Sequence, residues 1–169
     1  MNLARPTFEN FLEIFPEVEL PVTITESLHH DLEKANLPFA QAILLSYVQP
    51  ADMGEIDEFT EYLPGFKMTQ EKAFKAVVFW KAGLMVYEYI LATFTQKGEL
   101  IASTVISKVE AKEGIITQSA TVITPEWVIY VSEGAVATEE FDSTKAVNYS
   151  YEVLPNGEIV RYDEDDFLA

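Results

Sequence analysis

The chain has 169 residues, 49% of them hydrophobic, with no cysteine and a formal net charge of −17. The absence of cysteine excludes disulfide bonds, thiolate metal sites and cysteine nucleophiles. The excess of acidic side chains disfavours nucleic acids and anionic membrane surfaces as partners, and it favours basic proteins.

The net charge is unevenly distributed along the chain. Residues 1–70 carry 12 acidic and 3 basic side chains, residues 71–130 carry 6 of each, and residues 131–169 carry 10 acidic and 2 basic ones. A neutral, aromatic middle region therefore lies between two acidic regions. The length predicts one domain over residues 1–169. The predicted parts of this domain are a helical acidic part over 1–61, a β-rich part over 62–162 and an acidic tail over 163–169.

The N-terminus contains one basic residue and no apolar stretch, so the sequence predicts no secretion signal. The longest apolar run, residues 84–94, falls short of the roughly 18 residues that span a bilayer, and it is interrupted by Glu88. We therefore expect a cytoplasmic protein that does not enter a membrane.

Three helical segments are predicted in the N-terminal part. Residues 7–15 combine Thr7 as the N-cap with phenylalanine and leucine at helical spacing. Residues 26–36 are polar and indicate a helical turn or a short helix. Residues 38–48 form the clearest helix, because Pro38 suits a first turn and apolar side chains surround most of the circumference. This last helix is therefore expected to be well buried.

From Tyr62 onwards the hydrophobic pattern changes to that of strands separated by short turns. Connections this short require antiparallel neighbours, because a parallel crossover needs a dozen or more residues. The predicted fold is therefore α+β, with an antiparallel meander of about six to eight strands, curved or partly closed into a barrel, and N-terminal helices packed against it. The predicted strands are 62–68, 74–81, 84–95, 99–110, 114–123, 127–133, 145–154 and 158–162.

The first hairpin of this meander can be predicted in detail. A two-residue turn at 82–83 would pair Trp80 with Met85 and would place Glu88 diagonal to Lys75 on the opposite strand. Alternation then gives one face without charge, which we expect to be the core, and a second face that mixes apolar and charged residues. The expected core face carries Ala76, Val78, Trp80, Met85, Tyr87, Tyr89 and Leu91.

Aromatic residues are concentrated in the strand region. If the meander closes into a barrel, several of them could line a cavity for a small apolar ligand, although aromatic residues in strands more often pack in the core. The segments 99–107 and 115–123 are rich in serine and threonine, whose hydroxyls we expect to face water. The candidate ligand-binding residues are Trp80, Tyr87, Tyr89, Trp127 and Tyr130.

Glu88 is the most unusual carboxylate in the sequence, because it interrupts the apolar run 86–90. A carboxylate held in apolar surroundings has a raised pKa and can act as an acid or a base. Glu88 is therefore the one weak candidate for a catalytic residue. The more ordinary interpretation is a solvent-facing glutamate that pairs with Lys75.

Metal binding has little support in the sequence. Glu26 and His30 are four residues apart and would lie on one helix face, but a stable zinc site needs three or four ligands. The acidic residues around Gly54 do not follow the spacing of a calcium-binding loop, so residues 50–61 are expected to form a solvated acidic loop. No cofactor is expected.

No stretch carries a dinucleotide motif, a P-loop or a nucleophile elbow. The predicted function is that of a non-catalytic cytoplasmic binding protein whose acidic regions meet a basic protein partner, as a small inhibitor or immunity-type protein would. The alternatives are a small-ligand carrier and a carboxylate-dependent hydrolase. A monomer and a homodimer both remain open, because residues 145–154 could pair across a dimer if they lie at a sheet edge.

Overall fold

The structure is a computed structural model, and it describes residues 5–25, 28–52, 54, 56–68, 73–136 and 146–164. Most of these residues belong to one ten-stranded sheet. The prediction of an antiparallel meander is confirmed, but the strand count exceeds the predicted six to eight and the sheet stays open rather than closing into a barrel. One strand pair is parallel, so the sheet is mixed.

Two strands lie outside the predicted meander. The sequence predicts a short extended piece over residues 21–25 without a pairing partner, and it predicts no strand over residues 17–18. Strand β1 (Glu17–Val18) pairs in parallel with the first strand of the meander, and β2 (Val22–Ile24) pairs antiparallel with a strand in its middle. Segments of two and three residues are too short to show a hydrophobic alternation. The remaining strands follow the predicted order, with ends within three residues of the prediction. They are β3 Glu61–Met68, β4 Phe74–Gly83, β5 Val86–Thr95, β6 Leu100–Lys112, β7 Ile115–Ile123, β8 Val128–Val136, β9 Val147–Val153 and β10 Ile159–Asp163.

The turn of the β4–β5 hairpin lies two residues later than predicted, so each β4 residue faces a partner four residues further along β5. Trp80 lies opposite Tyr89 rather than Met85. Lys81 lies opposite Glu88, so the turn falls at 84–85 rather than at 82–83. The observed register sets opposite charges side by side, which favours it over the predicted one. Because the partners shift by an even number of residues, the side chains in the strands keep their predicted faces, but Met85 moves into the turn and Lys75 lies opposite Phe94. The predicted Glu88–Lys75 pair is therefore wrong.

Both faces of β4 and β5 are covered by apolar residues, whereas only one was expected to be core. The second face carries Phe79 and Phe94, which pack with Phe11 and Tyr47 of the N-terminal helices. The rings of Phe11 and Tyr47 are stacked with centroids 4.8 Å apart. The helices therefore pack on the sheet as predicted, and they bury the face that also carries Lys81.

The helices are few and short. Helix α1 is Phe8–Glu13, and α2 is Leu28–Ala35. Thr7 is the N-cap of α1, as predicted, and it exchanges hydrogen bonds with Asn10 in a capping box. None of the described helices has the length and hydropathy that crossing a membrane requires.

The helix predicted over 38–48 begins three residues later and is irregular. It consists of α3 (Gln41–Ile43), a π-helical turn (Leu44–Val48) and α4 (Gln49–Ala51). Pro50 explains the irregularity, because a proline ring collides with the carbonyl four residues earlier in a regular α-helix. One side of this helix is buried, while Leu45 on another side is exposed, so the helix is less buried than predicted.

The opposite face of the sheet forms a second core, to which Leu32 of α2 and Ile24 of β2 also contribute. The ring of Phe74, at the start of β4, packs edge-on against Trp127, just before β8, with centroids 5.2 Å apart. The turn between β9 and β10 reaches β5, where the Thr93 hydroxyl donates a hydrogen bond to the Gly157 carbonyl at 2.6 Å. Strand β9 pairs with β8 and with β10. Residues 149–152 are therefore paired on both sides, so β9 is not an edge strand and the condition for the suggested dimer contact through it is not met.

Candidate functional site

The most distinctive feature of the sheet is a fork between β6 and β7. These strands pair only next to their hairpin, over residues 109–112 and 115–118. Beyond that point β7 pairs with β2 instead, through residues 121–123. The opening between β6 and β7 contains a pocket of about 100 Å³, which we call the fork pocket. It is lined by Thr25, Trp80, Tyr87, Tyr89, Ser107, Lys108, Val109 and Ser119.

Side-chain hydroxyls replace some of the ladder hydrogen bonds that the fork interrupts. The Thr121 hydroxyl donates to the Ile106 carbonyl at 2.7 Å, and the Ser119 hydroxyl accepts from the Lys108 amide at 3.3 Å. Buried backbone groups need such partners, because an unmade hydrogen bond in the interior is costly. Both residues are buried, so the expectation that these hydroxyls face water is wrong for Ser119 and Thr121.

Aromatic side chains form one wall of the fork pocket. Trp80 and Tyr87 are stacked, with ring centroids 5.5 Å apart and an interplanar angle of 22°. Trp80 is buried, while Tyr87 is 44% exposed and stands at the mouth. The β4–β5 register places Tyr89 directly opposite Trp80. These three rings therefore form a wall of the pocket on one face of the hairpin.

The Tyr89 hydroxyl is the unusual polar group of the fork pocket. Tyr89 is only 6% exposed, and its hydroxyl has no hydrogen-bond partner among the described residues. Burial raises the pKa of Tyr89, and the nearby carboxylate of Asp31 adds to the effect, so the phenol is neutral and able to donate. A buried polar group without a partner costs about 1–3 kcal/mol, and this donor is therefore available to a bound molecule.

The structure brings together three of the five predicted ligand-binding residues. Trp80, Tyr87 and Tyr89 line the fork pocket. Trp127 instead packs in the core against Phe74, and Tyr130 lies on β8 with more than half of its surface exposed. The polar members of the lining were not predicted, because the fork arises from the pairing of β2 with β7, which local sequence patterns do not show.

Glu88 lies on the opposite face of the hairpin from the aromatic wall. It stands between Lys81 on β4 and Lys108 on β6, and it is half-buried. Burial raises the pKa of Glu88, and the two lysines oppose this effect. Glu88 is not part of the fork pocket lining. Its catalytic role remains a prediction without a supporting observation.

A buried ion pair next to Glu88 was missed in the sequence. Lys81 Nζ lies 2.8 Å from the Asp52 carboxylate, and their side chains are 4% and 2% exposed. Asp52 also accepts hydrogen bonds from the Tyr62 hydroxyl at 2.5 Å and from the Gly54 amide at 2.9 Å. Burial alone would raise the pKa of Asp52, but these hydrogen bonds and Lys81 together lower it. The expected solvated loop is therefore anchored by a buried carboxylate.

One sequence signal could have revealed this pair. Lys81 directly follows the apolar run 76–80, and a lysine so placed is either exposed at a strand end or paired with an acid. The identity of the acid could not be predicted, because Asp52 lies 29 positions earlier in the chain.

The candidate metal ligands do not form a site within the described residues. His30 is exposed on α2, and Glu26 lies outside the described residues. No group of three or more histidine, aspartate or glutamate side chains in the described part of the chain is placed to hold a metal ion.

Comparison with known proteins finds no matching family, no matching curated protein and no matching solved structure. The function therefore has to be inferred from the geometry and charge of this chain.

Proposed function

We propose that this chain is a non-catalytic binding protein whose fork pocket takes a small, mostly apolar molecule. The observation that carries the proposal is the buried Tyr89 hydroxyl, which has no hydrogen-bond partner in the described part of the chain and lies beside the stacked rings of Trp80 and Tyr87. Ligand sites combine apolar and aromatic walls with a few convergent polar groups, and the fork pocket has this composition.

The size of the fork pocket limits the ligand. A volume of about 100 Å³ is somewhat smaller than the roughly 150 Å³ cavity that binds benzene. A ring-sized group therefore fits if Tyr87, which is half-exposed at the mouth, moves outward. Larger ligands would place only one end in the pocket.

The polarity of the fork pocket limits the ligand further. Tyr89 can donate one hydrogen bond, so the inserted group should carry an acceptor such as a carbonyl or ether oxygen. Lys108 is the one cation among the described lining residues, and it already forms an ion pair with Glu133 at 3.4 Å. Together with the net charge of −17, this disfavours an anionic ligand. The proposed ligand class is an uncharged planar ring with one acceptor oxygen.

The test uses two probes of similar shape, acetophenone and ethylbenzene. Only acetophenone carries an acceptor oxygen. Titration followed by ¹H–¹⁵N NMR should shift the Trp80 indole signal and the amides near residues 87–89 and 107–109. We expect Tyr89→Phe to weaken acetophenone binding about 2- to 10-fold, as the loss of one hydrogen bond does, and to leave ethylbenzene binding unchanged.

Tyr130→Phe is the matched control, because it removes a tyrosine hydroxyl outside the fork pocket. It should change neither affinity. The proposal would be overturned if neither probe shifts the fork signals in a saturable way, which would indicate a pocket that holds water only. Equal acetophenone affinity in Tyr89→Phe and the wild type would remove the assigned role of the hydroxyl.

A further inference from the structure

A second cavity lies at the edge of the sheet beside β3, which is separated from the fork strand β6 by β4 and β5. It has a volume of about 480 Å³ and runs between the connection that joins α2 to α3 and the outer strand β3. We call it the edge groove. It is lined by Asn36, Pro38, Phe39, Leu44, Thr60, Glu61, Tyr62 and Leu63.

The floor of the edge groove includes a strand edge that no described strand covers. Strand β3 pairs with β4 on one side, but on the other side β1 reaches only Lys67 and Met68. Asn36 stands on this open edge, where its side-chain amide donates to the Pro64 carbonyl at 2.7 Å. In an antiparallel strand, the backbone groups of residues two apart point to the same edge. The N–H and C=O of Tyr62 therefore point into the edge groove.

The two sides of β3 differ in character at this edge. Tyr62 points towards the helices, where Phe39 and Leu44 also line the edge groove, and Glu61 points to the opposite face and is exposed. An added strand beside β3 would follow the same alternation. One of its faces would meet apolar side chains, and the other would meet a carboxylate.

The surroundings of the edge groove are apolar and acidic. Leu37 and Phe59, which adjoin lining residues in the chain, are 83% and 60% exposed. Asp57 and Glu58 precede the lining residue Thr60 and add negative charge beside Glu61. Exposed apolar groups beside a sheet edge are typical of a surface that another chain covers.

We infer that the edge groove binds an extended segment of a partner protein, with alternating apolar and basic side chains, as an added strand on β3. Charge complementarity selects this occupant, because a basic segment is attracted to Glu61 and its acidic neighbours. A second copy of this chain, with a net charge of −17, would be repelled. The uncovered part of β3 accommodates about three or four residues of such a segment, at roughly 3.3 Å per residue.

The test uses labelled pentapeptides with the sequence Val-Lys-Val-Lys-Val, blocked at both ends, and the same peptide with glutamate in place of lysine. Fluorescence anisotropy gives the affinity, and ¹H–¹⁵N NMR of the full chain gives the location. We expect the lysine peptide to shift the amides of residues 36–39 and 60–63 and to bind more weakly as salt is raised. The glutamate peptide should not bind.

Strand addition is distinguished from side-chain docking by N-methylation of the peptide backbone. Methylating the amides that face β3 removes hydrogen bonds to β3 without changing any side chain. Methylating the alternate amides leaves those hydrogen bonds in place. One of the two alternating sets should therefore weaken binding about tenfold relative to the other. Equal effects of the two sets would overturn the assignment of an added strand.

Charge reversal tests the location of the binding surface. Glu61→Lys should weaken binding of the lysine peptide about fivefold, which corresponds to about 1 kcal/mol of binding free energy. Glu158→Lys is the matched control, because Glu158 is also exposed but lies in the β9–β10 turn. The inference fails if both variants bind alike, or if the shifts lie away from the edge groove. It also fails if sedimentation shows a dimer that Phe59→Ser dissociates, because a second copy would then be the occupant.

Discussion

Lys81 and Asp52 form an ion pair of 2.8 Å that is almost completely shielded from solvent. It joins β4 to the segment that follows α4, and the Tyr62 hydroxyl completes the site from β3. A buried carboxylate and a buried ammonium each lose their hydration on folding, so each depends on the other. This mutual dependence makes the pair a sensitive test of the structure.

Lys81→Met should therefore destabilise the protein strongly. The variant leaves the Asp52 carboxylate buried without its cation, and removing one partner of a buried pair typically costs about 3–5 kcal/mol. Urea denaturation at neutral pH gives the free energy of unfolding. Lys108→Met is the control, because Lys108 is partly exposed and its ion pair with Glu133 should contribute at most about 1 kcal/mol. Equal losses of unfolding free energy in the two variants would contradict the burial of Lys81.

Asp52 and Glu88 should affect the pH dependence of stability with opposite signs. The pKa of Asp52 is lowered in the folded state, so its contribution is present above the unfolded pKa near 3.8 and is lost as the pH falls through the folded value. The pKa of Glu88 is raised above 4.5, so its contribution is present below that value and is lost as the pH rises through the folded value.

The measurement is the free energy of unfolding of Asp52→Asn and Glu88→Gln against pH, each relative to the wild type. The destabilisation caused by Asp52→Asn should shrink as the pH falls below about 4. Glu88→Gln should become more stable relative to the wild type as the pH rises above about 4.5, because the variant avoids the cost of a half-buried charge. If the stability difference between variant and wild type changed with pH in the same direction for both variants, the assigned surroundings of these two carboxylates would be contradicted.

Gly65→Ala should disturb the β3–β4 pair. Gly65 sits at the irregularity between Pro64 and Phe66, and a Cβ there would overlap the backbone carbonyl of Val78. Backbone cannot move aside as a side chain can, so we expect a loss of about 1–3 kcal/mol, in the range of overpacked cores. Gly83→Ala is the control, because its Cβ would meet the Val86 side chain at 3.3 Å, which can adjust. Thermal and urea denaturation would compare the two.

The strand order could be predicted from sequence because short turns separate the segments and each segment is long enough to show its pattern. The hairpin register could not be predicted, since it depends on the cross-strand contacts of Glu88 with Lys81 and Lys108. Alternation alone places Lys81 and Glu88 on one face of the hairpin, but no local pattern fixes which charge meets which. The aromatic wall of the fork pocket could be predicted from sequence, because alternation along the two strands alone places Trp80, Tyr87 and Tyr89 on one face.

The fork pocket and the buried Asp52 could not be predicted, because both arise from contacts between distant parts of the chain. Strand β2 joins β7 about 100 positions later in the sequence, and this pairing leaves the opening that forms the pocket. A sequence without cysteine or metal motifs offers no constraint on such long-range contacts. Residue types at the fork, such as Thr121, therefore look like ordinary half-exposed strand residues until the pairing is known.

Thr121→Val should destabilise the fork itself. The Thr121 hydroxyl is fully buried and donates to the Ile106 carbonyl at 2.7 Å across the gap between β6 and β7. Valine has nearly the same shape but cannot donate, so the carbonyl is left without that partner, at a cost of about 1–3 kcal/mol. Thr117→Val is the control, because Thr117 is half-exposed and lies where β6 and β7 pair directly. An equally small effect of both substitutions would show that the hydroxyl does not hold the fork together.

Tyr89→Phe should leave the ligand-free protein as stable as the wild type or more stable by about 1 kcal/mol. The hydroxyl is buried and has no partner among the residues that the structure describes, so its removal abolishes an unmade hydrogen bond rather than a made one. Such a gain is expected where a site gives up stability for binding. If an ordered water instead satisfies the hydroxyl, the same substitution should destabilise the protein, because that water would lose a partner. Urea denaturation of Tyr89→Phe, with Tyr130→Phe beside it, therefore distinguishes a pocket prepared for a ligand from one that holds water as part of the fold.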